Sequence, residues 1–454
     1  MSDGLLSADD ALARVMTAVA GPTEHEVAHL SEALGRVIAE DVDSAIDLPP
    51  WDNSAMDGYA VRAADVAGAT DGEPIRLEVT GEVRAGQAPD ARLERGMAIR
   101  IATGAPVPPG ADAVVPVELT TPIDGSGEPT GPRGRDATGP LPAAILVHDP
   151  VGLGGSIRRA GSDLRSGTRL LAPGTVVGPA SIALVAGVGI DLLTVHRRPI
   201  VGILATGDEV RAPGSALGAA GIPDANGPAL AAMVTAAGGD PRSLGIAADR
   251  YDDVRARLCA GLIEGADAII VSGGVSVGPY DVVRAAFESF GPIELWRVAV
   301  QPGKPFAFGT GRLSADDGGH GPERPPTLLF GLPGNPVSTF VTFELFVRPA
   351  IRRLAGHGPA DLQRPRDRAV LVEPVSKSAG RRAFIRVTVE RDDRGSPIRD
   401  DRGRVRAHLA GGQGGQGSHV LSALATADGL AVVPEVTDTL SPNTEVELWW
   451  LDRG

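Results

Sequence analysis

The chain has 454 residues, a formal net charge of −14 and a hydrophobic fraction of 43%. This length predicts about two to four domains, and the acidic balance argues against nucleic acid or an anionic membrane as the main partner. The single cysteine excludes an internal disulfide and zinc-finger spacing. No signal peptide and no apolar run of about 18 residues is visible, which predicts a cytoplasmic protein.

The first elements in chain order are predicted helices. "LLSADDALARVMTAVA" (5–20) has its apolar residues on one helical face, and Ser7 with Asp10 resembles a capping box. "SEALGRVIAEDV" (31–42) predicts a second helix. Residues 149–198 predict short strands and turns, then a helix that Pro179 begins. Residues 1–46 and 149–198 together form a predicted elongated connector domain.

Between these two segments, residues 47–148 read as a β-rich inserted module, because short runs of alternating apolar residues are separated by turn residues. Within it, "DGSGEPTGPRGRDATGP" (124–140) has no apolar periodicity and predicts a disordered insertion.

A third pattern covers residues 199–358, where continuous apolar strands such as "PIVGILAT" and "DAIIVSGG" alternate with amphipathic helices. This pattern predicts a mostly parallel sheet covered on both faces, with a surface insertion at "SADDGGHGPERPP" (314–326). Residues 359–454 return to strands and predict a small antiparallel barrel or sandwich. The fold class is therefore multidomain α/β plus β, with a central mostly parallel α/β domain.

Ligands of open parallel sheets bind beside the loops that follow the carboxyl ends of the strands. In "ATGDE" (205–209) the adjacent acids indicate either a divalent cation or a solvent-facing turn. In "SGGVSVGPYD" (272–281) the glycines and the following helix start favour an anion. Asp281 then either complements the helix dipole or bridges to the anion through a metal ion.

Two further segments carry candidate anion-binding residues. "FGLPGNPVSTF" (330–340) offers another helix start, although a well-capped helix would also explain Asn335 and Pro336. Lys304, between two prolines in "VQPGKPFAFG" (300–309), is either an oxyanion ligand or a surface lysine. The chain lacks the P-loop, nucleophile-elbow and HExxH motifs.

Six motifs in this order resemble the molybdopterin molybdenumtransferase family, which includes MoeA and the gephyrin E domain. They are "DNSAMDGYAVR" (52–62), "IRIATGAPVPPGADAVV" (99–115), "ATGDE", "SGGVSVGPYD", "QPGKPFAFG" (301–309) and "GLPGNPVS" (331–338). The C-terminal "GGQGSHVLSALATADGLAVVP" is similar to the closing motif of that family.

The resemblance implies insertion of molybdate into adenylylated molybdopterin, with Mg²⁺-dependent release of AMP. By motif position it implies catalytic roles for Asp57, Thr103, Glu209, Asp281 and, with a less certain alignment, Asp249. The implied metal ligands are Glu209, Asp281 and Asp57. The implied substrate-binding residues are Gly273, Gly274, Ser276, Gly278, Pro302, Lys304, Gly334, Asn335, Pro336 and Ser338.

The resemblance also implies a homodimer in which the β-rich module of one subunit approaches the sheet domain of the other. Contact with other proteins of molybdenum cofactor biosynthesis is a further expectation. Pro279, His419 and Asp428 depart from residues common in the family, and the two Gly/Pro-rich insertions fall between motifs.

Two other classes of function remain open on the sequence. A scaffold protein on the same fold would be favoured by loss of Asp57, Glu209 or Asp281, and all three are present. A nucleotide-processing enzyme with a related sheet domain would lack "DNSAMDGYAV", which is also present.

Overall fold

The computed structural model describes residues 5–134, 139–274, 282–314 and 324–451. The chain divides into two compact units. The first consists of Met1–Glu40, Pro173–Gly178 and Leu193–Gly454, and the second of Asp41–Ala172 and Pro179–Leu192. The four-part domain boundaries expected from the sequence stay predictions. In the described part of the chain, no helix has the length and apolar character needed to cross a membrane.

The α-helices of the described residues are α1 (Ala8–Ala18), α2 (Ala63–Val66), α3 (Pro179–Gly187), α4 (Asn226–Ala236), α5 (Tyr251–Ile263), α6 (Val282–Glu288), α7 (Pro336–Thr342), α8 (Arg348–Leu354) and α9 (Leu421–Thr426). A π-helical turn, Phe343–Val347, joins α7 to α8, so one helical backbone continues through all three segments.

The strands are β1 (His25–His29), β2 (Val42–Asp43), β3 (Asn53–Ser54), β4 (Gly58–Val61), β5 (Ile75–Val83), β6 (Met97–Ile101), β7 (Ala113–Pro116), β8 (Thr120–Ile123), β9 (Ala144–Val147), β10 (Ile157–Arg158), β11 (Arg169–Leu171), β12 (Leu192–His196), β13 (Ile200–Thr206), β14 (Val210–Arg211), β15 (Ile222–Pro223), β16 (Asp240–Ala247), β17 (Ala268–Ser272), β18 (Ile293–Arg297), β19 (Val300–Gln301), β20 (Pro305–Gly311), β21 (Thr327–Leu332), β22 (Arg366–Leu371), β23 (Val375–Ser376), β24 (Arg382–Val389), β25 (Val405–Leu409), β26 (Gly429–Val433), β27 (Thr439–Leu440) and β28 (Thr444–Trp450).

The predicted cap of α1 is confirmed. Ser7 Oγ accepts a hydrogen bond from Asp10 N at 3.0 Å and donates one to the Asp10 carboxylate at 2.7 Å. The second predicted helix is wrong, because only a 3₁₀ turn forms at Leu30–Glu32. Two β-branched residues after it, Val37 and Ile38, are buried in isolated β-bridges instead, which suits their preference for extended backbone.

Replacement of Ser7 by alanine is expected to lower the free energy of unfolding by about 1 kcal/mol, the usual contribution of an N-cap side chain. Thr17→Ala in the same helix is the control, because the Thr17 hydroxyl bonds only to the Ala13 carbonyl one turn earlier. Urea unfolding of both variants measures the difference. Equal loss in the two variants would mean that the cap does not stabilise α1.

The second unit contains a six-stranded sheet in the order β7-β4-β6-β5-β9-β8, with a parallel pair only at β5–β6. The insertion after β8 was expected to be disordered, and for residues 124–134 that prediction is wrong. Asp124 Oδ1 there accepts hydrogen bonds from the backbone of Ser126 and Glu128, and Arg133 is paired with Asp71. Residues 135–138 lie outside the described ranges.

The first unit is built on a six-stranded sheet in the order β16-β13-β17-β21-β20-β18. The four strands from β16 to β21 are parallel, β20 runs antiparallel to them, and β18, which is antiparallel to β20, runs in their direction again, so the predicted mostly parallel sheet is confirmed as a mixed one. Val201 and Ile203 of β13 face one hydrophobic core, and Leu204 faces the other. Burial on both faces explains why these strands are continuously apolar.

The C-terminal strands form a closed five-stranded barrel, because β24 pairs with both β25 and β26. Of the two predicted alternatives, a small antiparallel barrel or a sandwich, the barrel is confirmed, but the pair β22–β25 is parallel rather than antiparallel. The short strand β19 adds to β24 in parallel. This pairing holds the loop that follows β19, which contains Pro302 and Lys304, beside the barrel.

Candidate active site

The loop after β17 begins at two positions that only glycine fits. Gly273 and Gly274 have φ angles of +95° and +65°, a region that L side chains rarely adopt. A Cβ on Gly273 would lie 2.8 Å from the Thr206 carbonyl oxygen, and one on Gly274 would lie 2.5 Å from Val283 Cγ2. The loop therefore starts packed against the end of β13. Ser276, Gly278, Pro279 and Asp281 lie outside the described residues.

The loop between β21 and α7 meets this glycine pair. A Cβ on Gly334 would lie 3.6 Å from Gly273 Cα, so the two loops are in contact at the same sheet edge. Pro336 is the first residue of α7, as predicted. Asn335 occupies the N-cap position, as predicted, although its side chain makes no capping hydrogen bond. Instead, the Asn335 backbone carbonyl accepts from Thr339.

Carboxylates follow the two neighbouring strands β13 and β16. Asp249 N donates to Asp208 Oδ1 at 3.2 Å, and the Glu209 carboxylate folds back to within 3 Å of the position that a Cβ on Gly207 would occupy. Burial raises the pKa of Asp249, and the negative charges of Asp208 and Glu209 raise it further. Like charges crowded at one strand end favour a bound cation.

These acids alone do not complete a metal site. Among the described residues, no group of three or more His, Cys, Asp or Glu side chains is placed to hold a metal ion. Mg²⁺ is usually held by one or two carboxylates together with substrate phosphates. The acids at the ends of β13 and β16 match this arrangement, in which one or two carboxylates bind the ion together with substrate phosphates.

The predicted lysine loop packs against the helix that begins at Pro336. The Gln301–Pro302 peptide is cis, and a Cβ on Gly303 would lie 2.7 Å from Thr342 Cγ2 and 3.6 Å from the Ser338 carbonyl oxygen. Lys304 is half-buried. Within the described ranges its Nζ has no hydrogen-bond or ion-pair partner, which suits a ligand that carries negative charge.

A buried arginine near this loop was missed by sequence reasoning. Arg386 of β24 is fully buried, and burial lowers the pKa of its guanidinium to about 10. Its Nη2 donates to the carbonyls of Gly415 and Gly417, and its Nε has no partner among the described residues. The Ser418 carbonyl next in the chain accepts from Val337 N of α7. The signal was a lone charge inside the apolar run "RAFIRVTV".

The loop that Arg386 bonds and the loop that contains Lys304 each contact α7. Loop 415–418 connects Arg386 to α7, and the β19–β24 pairing holds the Lys304 loop beside the same barrel strand. Ser338, a predicted binding residue, lies buried in the first turn of α7. Within the described part of the chain, Arg386 has no carboxylate partner. Cations that lack a carboxylate partner among the described residues are candidates for binding an anion.

In the second unit, the sequence-predicted pair Asp57 and Thr103 is in direct contact. Asp57 Oδ1 accepts hydrogen bonds from Thr103 N at 2.7 Å and from Thr103 Oγ1 at 2.8 Å. Asp57 Oδ2 has no partner in the residues that the structure describes. One carboxylate oxygen is thus fixed while the other is free, and both residues are exposed.

Three family models match the chain in succession. They are described as "MoeA N-terminal region (domain I and II)" over residues 6–189, "Probable molybdopterin binding domain" over 202–353, and "MoeA C-terminal region (domain IV)" over 368–451. All the predicted site residues fall within the first two ranges, and Arg386 falls within the third.

Similar proteins match over nearly the full length. Molybdopterin molybdenumtransferase 2 of Mycobacterium tuberculosis is 37% identical over 92% of this chain and 93% of its own. The molybdopterin molybdenumtransferase of Haemophilus influenzae is 31% identical over 98% of both chains. The crystal structure of a MoeA protein from Pyrococcus horikoshii has a TM-score of 0.73 at 29% identity and covers 98% of this chain and 99% of its own. The chain therefore belongs to the MoeA family of molybdopterin molybdenumtransferases, transferases of molybdenum cofactor biosynthesis.

Proposed function

We propose that the protein inserts molybdate into adenylylated molybdopterin and releases AMP, giving molybdenum cofactor. The observation that carries the proposal is the pair of cations, Arg386 and Lys304, which have no acid partner among the described residues and whose neighbouring loops both contact α7. A tetrahedral dianion such as molybdate needs such donors. The names of the relatives supply the substrate, and the site chemistry agrees with it.

The glycine loops would hold the phosphate groups of the adenylylated pterin. Gly273, Gly274 and Gly334 bring backbone close together at the carboxyl edge of the sheet, where α/β proteins bind phosphates. Ser276, Gly278, Pro302, Asn335, Pro336 and Ser338 belong to the same proposed binding surface. Lys304 and Arg386 would bind the molybdate oxygens.

Mg²⁺ fits the donor chemistry at this edge, and we assign it to Glu209 and Asp281. Asp57 is proposed as a further metal ligand by its motif position alone. Burial raises the pKa of Asp249 and the charges of Asp208 and Glu209 raise it further, and this crowding of negative charge supports a cation there. When bound, Mg²⁺ would supply charge stabilisation on the phosphate oxygens of the pyrophosphate link.

The residues of the chain itself would position the reactants and move protons. Asp57 would use its free Oδ2 as a base or as a hydrogen-bond acceptor, while Thr103 fixes the other oxygen. Asp249, whose pKa is raised by burial and by the charges of Asp208 and Glu209, would hold a proton more tightly than an ordinary aspartate. With molybdate already bound, water would attack the pyrophosphate link and break one P–O bond, so that AMP leaves and the pterin keeps its own phosphate.

The proposal includes a homodimer, a cytoplasmic location and contact with other proteins of molybdenum cofactor biosynthesis. Sedimentation at several concentrations tests the dimer, and a monomer at all of them would contradict it.

The purified reaction tests the activity. AMP release from adenylylated molybdopterin should require both molybdate and Mg²⁺, and should stop when either is left out. Asp281→Ala, folded as judged by circular dichroism, should release no AMP. A wild-type protein that binds the substrate but never releases AMP would favour a scaffold role on the same fold.

A further inference from the structure

Asn226, the first residue of α4, is bonded to a loop of the candidate active site far away in sequence. Its Nδ2 donates to the Gly334 carbonyl oxygen at 2.8 Å, across a separation of 108 residues. Gly334 in turn lies against Gly273 of the other glycine loop. The side chain therefore anchors the point where the two loops meet.

A short parallel ladder ties the same residue to the acid loop. Strand β14, directly after Glu209, pairs with β15. Ile222 N donates to the Glu209 carbonyl at 2.8 Å, and Asp224 N donates to the Arg211 carbonyl at 2.7 Å. The chain then enters α4 at Asn226, so Glu209 and the anchor belong to one hydrogen-bonded segment.

Capping of α4 does not explain the Asn226 side chain. Asp224 Oδ1 already accepts from Gly227 N at 2.9 Å at the start of this helix, and Pro228 has no N–H to satisfy. The Asn226 amide bonds outside its own helix. This hydrogen bond stabilises the loop before α7 rather than the start of α4.

The anchored peptide has a direction that matters for binding. In a planar trans peptide the carbonyl and the following N–H point in opposite directions. With the Gly334 carbonyl held by Asn226, the Asn335 N–H points away from α4. Within the described residues this N–H makes no hydrogen bond, so it is available to a ligand oxygen at the start of α7.

We propose that Asn226 is a positioning residue, which orients the Gly334–Asn335 peptide toward substrate phosphate and sets that peptide relative to Glu209. The inference rests on the proposed function, since it assigns the phosphate of the adenylylated pterin, or of its AMP product, to this peptide. Asn226 itself touches neither the substrate nor the reacting atoms.

Two variants and one control test the role of Asn226. Asn226→Asp keeps the shape but replaces the donor with an acceptor that repels the Gly334 carbonyl, and Asn226→Ala removes the donor without adding charge. Thr235→Ala, in the same helix, loses only an exposed bond to the Ala231 carbonyl. We expect kcat for AMP release to fall about 10- to 100-fold in both Asn226 variants, with KM changed less than kcat, and no change in the control.

Calorimetry with AMP gives a second readout that does not depend on turnover. AMP should bind more weakly to both Asn226 variants than to the wild type or to Thr235→Ala. The Tm of Asn226→Asp should stay near that of the wild type, because a carboxylate at a helix start suits the helix dipole.

The outcomes separate the inference from the proposed function. Wild-type kcat and AMP affinity in Asn226→Ala would overturn the inference, since a loss in Asn226→Asp alone would be an effect of the added charge. A fall in activity that follows only a fall in Tm would assign Asn226 a structural role. If the wild type releases no AMP, the proposed function fails, and AMP calorimetry still decides the role of Asn226.

Discussion

Asp57→Asn is expected to reduce AMP release on the order of 10²-fold or more, the range that a general acid or base contributes. Asparagine keeps an oxygen that can accept from Thr103 N and Thr103 Oγ1, as Asp57 Oδ1 does. It removes the charge of the oxygen that has no partner among the described residues. Initial rates of AMP release with saturating molybdate and Mg²⁺ measure the effect.

The stability of the Asp57→Asn variant should be close to that of the wild type, because Asp57 is exposed and no buried group loses a partner. Asp90→Asn is the matched control, since Asp90 is an exposed aspartate of the same unit. Its activity should equal that of the wild type. Near-normal AMP release by Asp57→Asn would remove the Asp57 charge from the mechanism.

The sheet domain could be predicted from the sequence because its pattern has one physical cause. Strands β13, β17 and β21 are buried on both faces. Their continuous apolar runs are typical of a parallel sheet that is covered on both faces. The same topology places the loops after these strands at one edge. The sequence pattern was therefore enough to predict that Gly273, Gly334 and Glu209 lie at that edge.

Features that depend on distant contacts could not be predicted. The segment around Val37 and Ile38 has a helical pattern, but bridges to Val176 and Val195 hold it extended. Tertiary pairing overrides local propensity in such cases. Similarly, the role of a lone arginine in an apolar strand can be inferred only when the fold shows that it is buried. The Asn226–Gly334 hydrogen bond joins residues that no local sequence pattern connects.

The second large effect is expected for Arg386→Met. The charged guanidinium is disfavoured in the fold, since burial lowers its pKa well below the ordinary value of an arginine, to about 10, a difference that corresponds to roughly 3 kcal/mol. Because the unfolded chain binds the proton more tightly, stability should rise with pH in the window above about 10. Below that window the folded protein carries the full cost of the buried charge.

A bound oxyanion would offset this cost, so molybdate should raise the Tm of the wild type as its concentration increases. Arg386→Met removes the charge but also leaves the Gly415 and Gly417 carbonyls without their donor, and the two effects oppose each other. We therefore expect a small change in Tm without ligand. The stabilisation by molybdate should be largely lost, and KM for molybdate should rise on the order of 10²-fold, as for loss of a charged hydrogen-bond donor.

Arg382→Met is the control on the same strand. The Arg382 guanidinium is already paired with Asp9 and Glu435, so it needs no external anion. Its loss should lower Tm while the shift produced by molybdate stays as in the wild type. If molybdate stabilised Arg386→Met as strongly as it stabilised the wild type, Arg386 would lie outside the oxyanion site. Its buried guanidinium would then only stabilise the loop whose Gly415 and Gly417 carbonyls accept its hydrogen bonds.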